Sequence, residues 1–179
     1  MAYYRTEAEL QKSLIGQKLP NIPFVSTSGS IVDLAKLTGL TVLFIYPRTG
    51  NPAIPAPAEL EAIPGAKGCT PQACGFRDHL DELSALGVSH IYGLSSQDSS
   101  YQSELKSRQS LNYELLSDEA CRLASSLKLP TFQAGELLLY SRAALIIKDG
   151  VLLQIFTEIP NPGENASTVA TWLKDNLPS

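Results

Sequence analysis

Apolar positions along the chain change their spacing several times, and the changes predict alternating strands and helices. Residues 40–46 are almost wholly apolar and rich in β-forming side chains, which is typical of a central strand covered on both faces. Residues 88–95 predict the next strand. The apolar residues between these strands recur at helical spacing and predict one helix running from Cys69 to about Leu86.

The second half of the chain carries the clearest hairpin pattern. Residues 142–148 and 151–157 are β-rich, and the Asp-Gly pair between them is a strong turn signal. Residues 165–177 predict a last helix with Asn165 as its cap. This order of elements predicts an α/β fold with a mixed central sheet, parallel inside and antiparallel at the hairpin.

A long connection rich in proline and alanine, residues 48–64, joins the first central strand to the helix at Cys69. Long irregular connections inside compact domains are often functional. This one leaves the C-terminal end of a strand, where open α/β sheets place their sites. We therefore expect residues 48–64 to be an inserted active-site loop of a single domain spanning residues 1–179, with residues 1–15 as an N-terminal arm.

Composition narrows the class of protein. The chain has 179 residues, of which 44% are hydrophobic and 18% charged, an ordinary globular balance. A net charge of -4 argues against nucleic acid or an anionic membrane as the main partner. The polar N-terminus lacks a signal-peptide core, so we expect a cytoplasmic protein. Three cysteines in a reducing compartment do not make a disulfide scaffold, and a bridge there would be catalytic or transient.

Cys69 lies where a Gly/Pro loop becomes a helix, and Cys74 follows five positions later. Because exposed N–H groups at a helix start favour negative charge, we expect a lowered thiol pKa and raised reactivity at Cys69. Gly68 and Thr70 fit a helix start, with Thr70 as the cap. The alternative is that both cysteines are inert core residues. A core cysteine needs no such helix start, so the flanking residues favour redox chemistry.

Several segments resemble the peroxiredoxins, and in particular the bacterioferritin comigratory protein (PrxQ) branch. The resemblance rests on the Gly-Cys-Thr-x-x-x-Cys-x-x-Arg-Asp run from Gly68, on a central strand that ends in Tyr-Pro at Pro47, and on Arg142 at the start of a strand. It extends from about residue 16 to residue 177. It implies a thioredoxin-like fold of three layers, with a mixed central sheet between helices.

The resemblance also implies roles for individual residues. Cys69 matches the peroxidatic cysteine, whose thiolate attacks a peroxide and becomes a sulfenic acid. Cys74 matches the resolving cysteine, which forms an intramolecular disulfide with it. Arg142 matches the arginine that stabilises the thiolate, and Pro47 the proline that shields the site. A thioredoxin-type reductant would close the cycle, without cofactor or metal, in a monomer or weak dimer.

This chain departs from the family pattern in two ways. Alanine stands at position 66, where the family has a threonine three residues before the cysteine, and the segment before Gly68 is much longer than usual. We hypothesise that Thr49 replaces the missing hydroxyl and that the long loop packs over the site. The alternative is a surface insertion, with Thr49 as a turn residue.

The remaining reactive residues do not add a second predicted site. Arg77 is either part of a helix-surface ion pair with Asp78 or support for the site, and we favour support. We expect Cys121 to be buried and structural. His79 with the two cysteines lacks a fourth ligand and a zinc spacing, so no metal site is predicted.

Two other functions compete with a peroxidase. A disulfide oxidoreductase of the thioredoxin fold would use a Cys-x-x-Cys motif, which this chain lacks. A redox-sensing or partner-binding protein could use the same thiol pair as a switch without useful turnover.

Overall fold

The computed structural model describes residues 4–49 and 68–177. Its strands, in chain order, are β1 (Pro23–Ser26), β2 (Ile31–Asp33), β3 (Leu40–Ile45), β4 (Val88–Ser95), β5 (Glu114–Ser117), β6 (Thr131–Ala134), β7 (Leu137–Tyr140), β8 (Ala143–Lys148) and β9 (Val151–Phe156). Its helices are α1 (Glu7–Leu14), α2 (Cys69–Asp78), α3 (Leu80–Ala85), α4 (Ser99–Arg108), α5 (Arg122–Leu127) and α6 (Asn165–Asn176), with 3-10 turns at Leu34–Lys36 and Pro162–Glu164.

Seven strands form one mixed sheet in the order β2-β1-β5-β4-β3-β8-β9, and β6 pairs with β7 in a separate hairpin. Strands β3, β4 and β5 are parallel, whereas β8 runs antiparallel to β3 and to β9. The C-terminal ends of the parallel strands therefore meet at one edge of the sheet. The start of β8 reaches the same edge, because its residue Ala143 lies opposite Ile45.

Alternate residues of the central strands feed two separate hydrophobic clusters. Leu43 and Ile45 of β3 join α1 and α5 on one side of the sheet, whereas Val42 and Phe44 join α2, α3, α4 and α6 on the other. The sheet is thus covered by helices on both faces, which confirms the predicted α/β fold of three layers. None of the helices in residues 4–49 and 68–177 is long and apolar enough to cross a bilayer.

The hairpin of β8 and β9 and the strand β4 confirm the predicted elements, and the helix α1 lies within the expected N-terminal arm. The predicted single helix from Cys69 to Leu86 is wrong: it divides at His79 into α2 and α3. The hairpin of β6 and β7 was not predicted, since its two strands have four residues each and give little periodicity.

Candidate active site

Cys69 is the first residue of α2, and Gly68 is the residue before the helix, with φ 104° and no side-chain cap. The expected cap at Thr70 is wrong, because the helix already begins at Cys69. Thr70 instead lies in the first turn, followed by Pro71. Proline fits there because the first-turn N–H groups have no intrahelical partner.

Two glycines allow the turn at Pro162–Glu164 to pack against the cysteine helix. A Cβ added at Gly68 would lie 2.7 Å from Pro162 Cγ, and one at Gly75 would lie 2.9 Å from the Gly163 carbonyl oxygen. The rigid proline ring and the backbone carbonyl leave little room for adjustment. This close approach fixes where α2 begins and therefore where Cys69 lies.

Gly68→Ala is expected to destabilise the protein more than Gly29→Ala. Both glycines have positive φ, 104° and 84°, so alanine is strained at either by about 1–2 kcal/mol. A Cβ at Gly29 meets nothing within 4 Å, whereas one at Gly68 meets Pro162. Overpacking should add about 1–3 kcal/mol at Gly68. Urea unfolding measures both variants, and equal losses would show that Pro162 moves aside at no cost.

Three elements hold the surroundings of the Cys69 sulfur. The sulfur lies at the start of α2, and the residue is 3% exposed. Arg142, immediately before β8, donates from Nη2 to Cys69 Sγ at 3.5 Å and from Nη1 to Gln72 Oε1 at 2.7 Å. Gln72 in turn donates from Nε2 to Asn165 Oδ1 at 3.0 Å. One guanidinium thus joins the sulfur to a chain of buried amides.

Asn165 is a contact of the site rather than a helix cap. It is the first residue of α6, Glu164 precedes the helix, and the Asn165 side chain is buried against Gln72. The prediction of a cap at Asn165 is therefore wrong. Sequence reasoning missed the roles of Gln72 and Asn165, since a lone buried amide has no motif. The one available signal was the position of Gln72 on the apolar face of α2, together with Cys69, Ala73 and Phe76.

Burial is the largest influence on the Cys69 thiol, and it raises the pKa. The Arg142 guanidinium is the largest opposing influence, followed by hydrogen bonds from backbone N–H groups of Arg48 and of Cys69 itself. The structure thus contradicts the expectation that the pKa of Cys69 is lowered overall at the helix start. The enclosed sulfur has lost water, which disfavours its charged form.

Cys74 lies in different surroundings on the same helix. Its Sγ donates to Gln109 Oε1 at 3.3 Å, and Arg77 donates from Nη1 to the Gln109 carbonyl oxygen at 2.6 Å. Arg77 also forms the ion pair with Asp78, at 2.9 Å. That pair is the main cause of a raised pKa of Arg77, with the Cys74 side chain a smaller one. Arg77 therefore lies beside Cys74.

The two thiols cannot join while α2 is intact. Their partners lie on different elements, Arg142 before β8 for Cys69 and Gln109 after α4 for Cys74. Five helical steps separate their Cα atoms by about 7.5 Å along the axis. A disulfide needs Cα atoms roughly 4.4–6.8 Å apart and Cβ atoms that face each other. All three cysteines are thiols in this structure.

Residues 47–49 continue from β3 into the site. Pro47 is buried, and Arg48 supplies the N–H group near the Cys69 sulfur. The Thr49 hydroxyl donates to Gln97 Oε1 at 3.2 Å. A hydroxyl has one proton to donate, so Thr49 could donate to a peroxide only in another rotamer, and its role in the site stays a prediction. Ala66 and the lid expected from residues 50–64 lie outside the described residues.

Cys121 and His79 have structural surroundings. Cys121 is buried, as predicted, and burial raises its pKa to about 11. It is the residue before α5 and has φ 50°. His79 Nδ1 lies 2.8 Å from the Gly75 carbonyl oxygen, at the junction of α2 and α3. Across residues 4–49 and 68–177, no three His, Cys, Asp or Glu side chains are grouped to hold a metal ion.

Known proteins resemble this chain over most of its length. The family model described as Redoxin matches residues 14–173. Peroxiredoxin Bcp of Escherichia coli (strain K12) is 27% identical over 170 residues, which cover 90% of this chain and 96% of the relative. Peroxiredoxin Q, chloroplastic, of Oryza sativa subsp. japonica is 29% identical over 143 residues, 79% of this chain. That match spans only 58% of the rice protein.

Solved structures share the fold. Peroxidoxin BcpB from Mycobacterium tuberculosis superposes with a TM-score of 0.73 at 22% identity, covering 91% of this chain and 97% of that one. Reduced Prx3 from Vibrio vulnificus in complex with H2O2 gives a TM-score of 0.68 at 24% identity, covering 89% and 95%. At such identities the likeness concerns the architecture alone, and it agrees with the three layers described above.

Proposed function

The chain belongs to the Redoxin family, and we propose that it is a thiol-dependent peroxidase that reduces hydrogen peroxide and organic hydroperoxides. The observation that carries the proposal is the contact of 3.5 Å between Arg142 Nη2 and Cys69 Sγ, at the start of a helix that also holds Cys74. A buried sulfur beside a fixed guanidinium suits a reaction in which negative charge moves from sulfur to oxygen.

In the first step the Cys69 thiolate attacks the terminal oxygen of the peroxide. An S–O bond forms, the O–O bond breaks, and the sulfur keeps the OH group as a sulfenic acid. The electron pair leaves with the other oxygen, which takes a proton from solvent to give an alcohol, or water from hydrogen peroxide. The sulfur is oxidised by two electrons and the peroxide is reduced by two. Arg142 stabilises both the starting thiolate and the oxygen that gains charge.

In the second step the Cys74 sulfur attacks the Cys69 sulfur of the sulfenic acid. An S–S bond forms, the S–O bond breaks, and one water leaves. Because the intact helix keeps the two cysteines apart, the beginning of α2 has to unwind before the bond can form. The contacts of α2 with Pro162 and Asn165 are then broken, so they set how readily the second step occurs.

A dithiol protein of the thioredoxin type would reduce the disulfide and return both cysteines to thiols. Its exposed target would be Cys74, which is more accessible than Cys69 in the reduced structure. We propose this cycle for a cytoplasmic monomer or weak dimer. Bound metal or cofactor is not needed by either step, since both electrons come from sulfur.

Rapid oxidation of the reduced protein tests the proposal. One equivalent of hydrogen peroxide is expected to oxidise it far faster than it oxidises cysteine in solution, with the fluorescence of Trp172 as the signal. The product should lack two thiols and carry a Cys69–Cys74 disulfide by peptide mapping. Amide exchange of α2 should rise in the oxidised form, and equal exchange in both redox forms would contradict the unwinding step.

A redox switch is the second candidate function, and the raised pKa of Cys69 favours it. A thiol held largely protonated reacts slowly with peroxide, and a switch can tolerate slow oxidation. The rate separates the two functions. Oxidation no faster than that of cysteine in solution, ending in the same disulfide, would establish the switch.

A further inference from the structure

The side-chain amide of Gln97 pairs with the backbone of Thr49 as a neighbouring strand would. Thr49 N–H donates to Gln97 Oε1 at 3.0 Å, and Gln97 Nε2 donates to the Thr49 carbonyl oxygen at 3.1 Å. The Thr49 hydroxyl donates to the same Oε1. Gln97 follows the end of β4 and Thr49 the end of β3, two parallel neighbours. The Gln97 side chain thereby continues the hydrogen bonding between β3 and β4 beyond the ends of the two strands.

Gln97 is itself held firmly. Its N–H donates to Ser95 Oγ at 3.1 Å, and its carbonyl oxygen accepts from Gln102 Nε2 at 3.1 Å and from Ser117 Oγ at 2.6 Å. Gln97 is 8% exposed and Thr49 is 2% exposed. Buried hydrogen bonds of this kind fix geometry, because breaking one leaves a polar group without water.

These contacts determine the direction of the Arg48 N–H group. Arg48 stands between Pro47, whose ring fixes φ, and Thr49, whose N–H and carbonyl are both bound to Gln97. Its guanidinium lies over the Tyr101 ring, 5.3 Å from the centroid, and so is turned towards α4. The Arg48 backbone N–H points the other way, to the Cys69 sulfur, and its hydrogen bond lowers the pKa of that thiol.

We propose that Gln97 is a positioning residue for Cys69, which acts by holding Thr49 so that the Arg48 N–H stays aimed at the sulfur. Its role in turnover rests on the proposed peroxidase function, whereas its effect on the thiol does not. Within residues 4–49 and 68–177, the titratable side chains that face the sulfur are Arg142 and the buried Tyr46.

Gln97→Met tests the proposal in a Cys74→Ser, Cys121→Ser background, where Cys69 is the one cysteine left. The ultraviolet absorbance of the thiolate, followed against pH, is expected to move to higher pH. The rate of Cys69 oxidation by peroxide at neutral pH should fall roughly 10–100-fold. Amide exchange at Thr49 should accelerate. Gln97→Asn has a shorter side chain whose amide cannot reach both backbone groups of Thr49, so it should give a smaller shift in the same direction. It replaces Gln97→Met as the test if that variant fails to fold.

Two control variants test whether the loss of core packing, or of the Thr49 hydroxyl, shifts the thiolate titration as much as Gln97→Met does. Leu105→Ala removes core packing from α4 but none of the hydrogen bonds between Gln97 and Thr49, so it should destabilise the fold while leaving the thiolate titration in place. Thr49→Val keeps both backbone bonds to Gln97 and loses the hydroxyl, so its shift should be smaller than that of Gln97→Met.

Each outcome separates this inference from the proposed function. An unchanged titration in Gln97→Met, or an equal shift in Thr49→Val or in Leu105→Ala, overturns the positioning role even if the protein is a fast peroxidase. A shift confined to the Gln97 variants in a protein that reacts slowly with peroxide keeps the positioning role and overturns the peroxidase.

Discussion

Cys69→Ser is expected to abolish the rapid reaction with hydrogen peroxide, while Cys74→Ser is expected to keep the first oxidation and stop at the sulfenic acid. A serine hydroxyl is a far weaker nucleophile than a thiolate, and it stays protonated at neutral pH. Cys74 contacts Gln109 rather than Arg142, so its loss leaves the surroundings of the Cys69 sulfur in place. Stopped-flow oxidation followed by intact-protein mass measures both variants, with a sulfenic-acid reagent to trap the product.

Cys121→Ser is the matched control for these two substitutions. Cys121 is 1% exposed in the other hydrophobic cluster, and its pKa is raised by burial, so it should not react on the same timescale. Its loss should leave the rate and the disulfide product as in the parent protein. A rapid reaction that survives in Cys69→Ser would mean that another thiol is oxidised, and the proposed function would fail.

Strong local patterns were enough to predict the central elements of the fold. The apolar run of β3 and the Asp-Gly turn between β8 and β9 are signals contained in a few neighbouring residues. The division of the cysteine helix at His79 was not predictable from periodicity, since its apolar spacing continues across the break. What divides the helix is tertiary, and the His79 ring contact with the Gly75 carbonyl oxygen lies at that point.

The candidate site was predictable only as far as its motif extends. Cys69 and Cys74 are visible together because they share one helix, and Arg142 came from the resemblance. The amides that orient them were not visible, because they are distant in sequence: Gln72 and Asn165 are 93 residues apart, and Thr49 and Gln97 are 48 apart. Glutamine and asparagine occur throughout surfaces, so residue type alone gives no warning that four of them are buried among the described residues.

The pKa of Cys69 was misjudged for a related reason. The helix start is a local feature, and the Cys69 backbone N–H lowers the pKa as expected, as does the Arg142 guanidinium. The enclosure of the sulfur is a property of the whole fold, and it has the larger effect. The reactivity of Cys69 therefore depends on how much of the pKa rise caused by burial is offset by the Arg142 charge. This makes Arg142 the most informative residue to substitute after Cys69 itself.

Arg142→Met is expected to slow the oxidation of Cys69 by roughly 10²–10³-fold at neutral pH, the usual cost of losing one fixed donor at a reacting atom. The Arg142 charge lowers a pKa that burial raises, so its loss should raise the pKa further. Less thiolate is then present at each pH below the new value. The pH–rate profile should keep its shape and move to higher pH, and stopped-flow oxidation across a pH series measures the displacement.

Arg142→Lys separates the charge of this residue from its geometry. A lysine keeps the positive charge, so the pH–rate profile should stay nearer to that of the parent protein than the methionine profile does. Its single ammonium cannot reproduce the planar fork that serves Cys69 Sγ and Gln72 Oε1 together, so the rate at high pH should still be reduced. Equal profiles for lysine and methionine would show that the fork matters and the charge does not. A lysine variant as fast as the parent would show the reverse, and the Gln72 contact would then have no part in the chemistry.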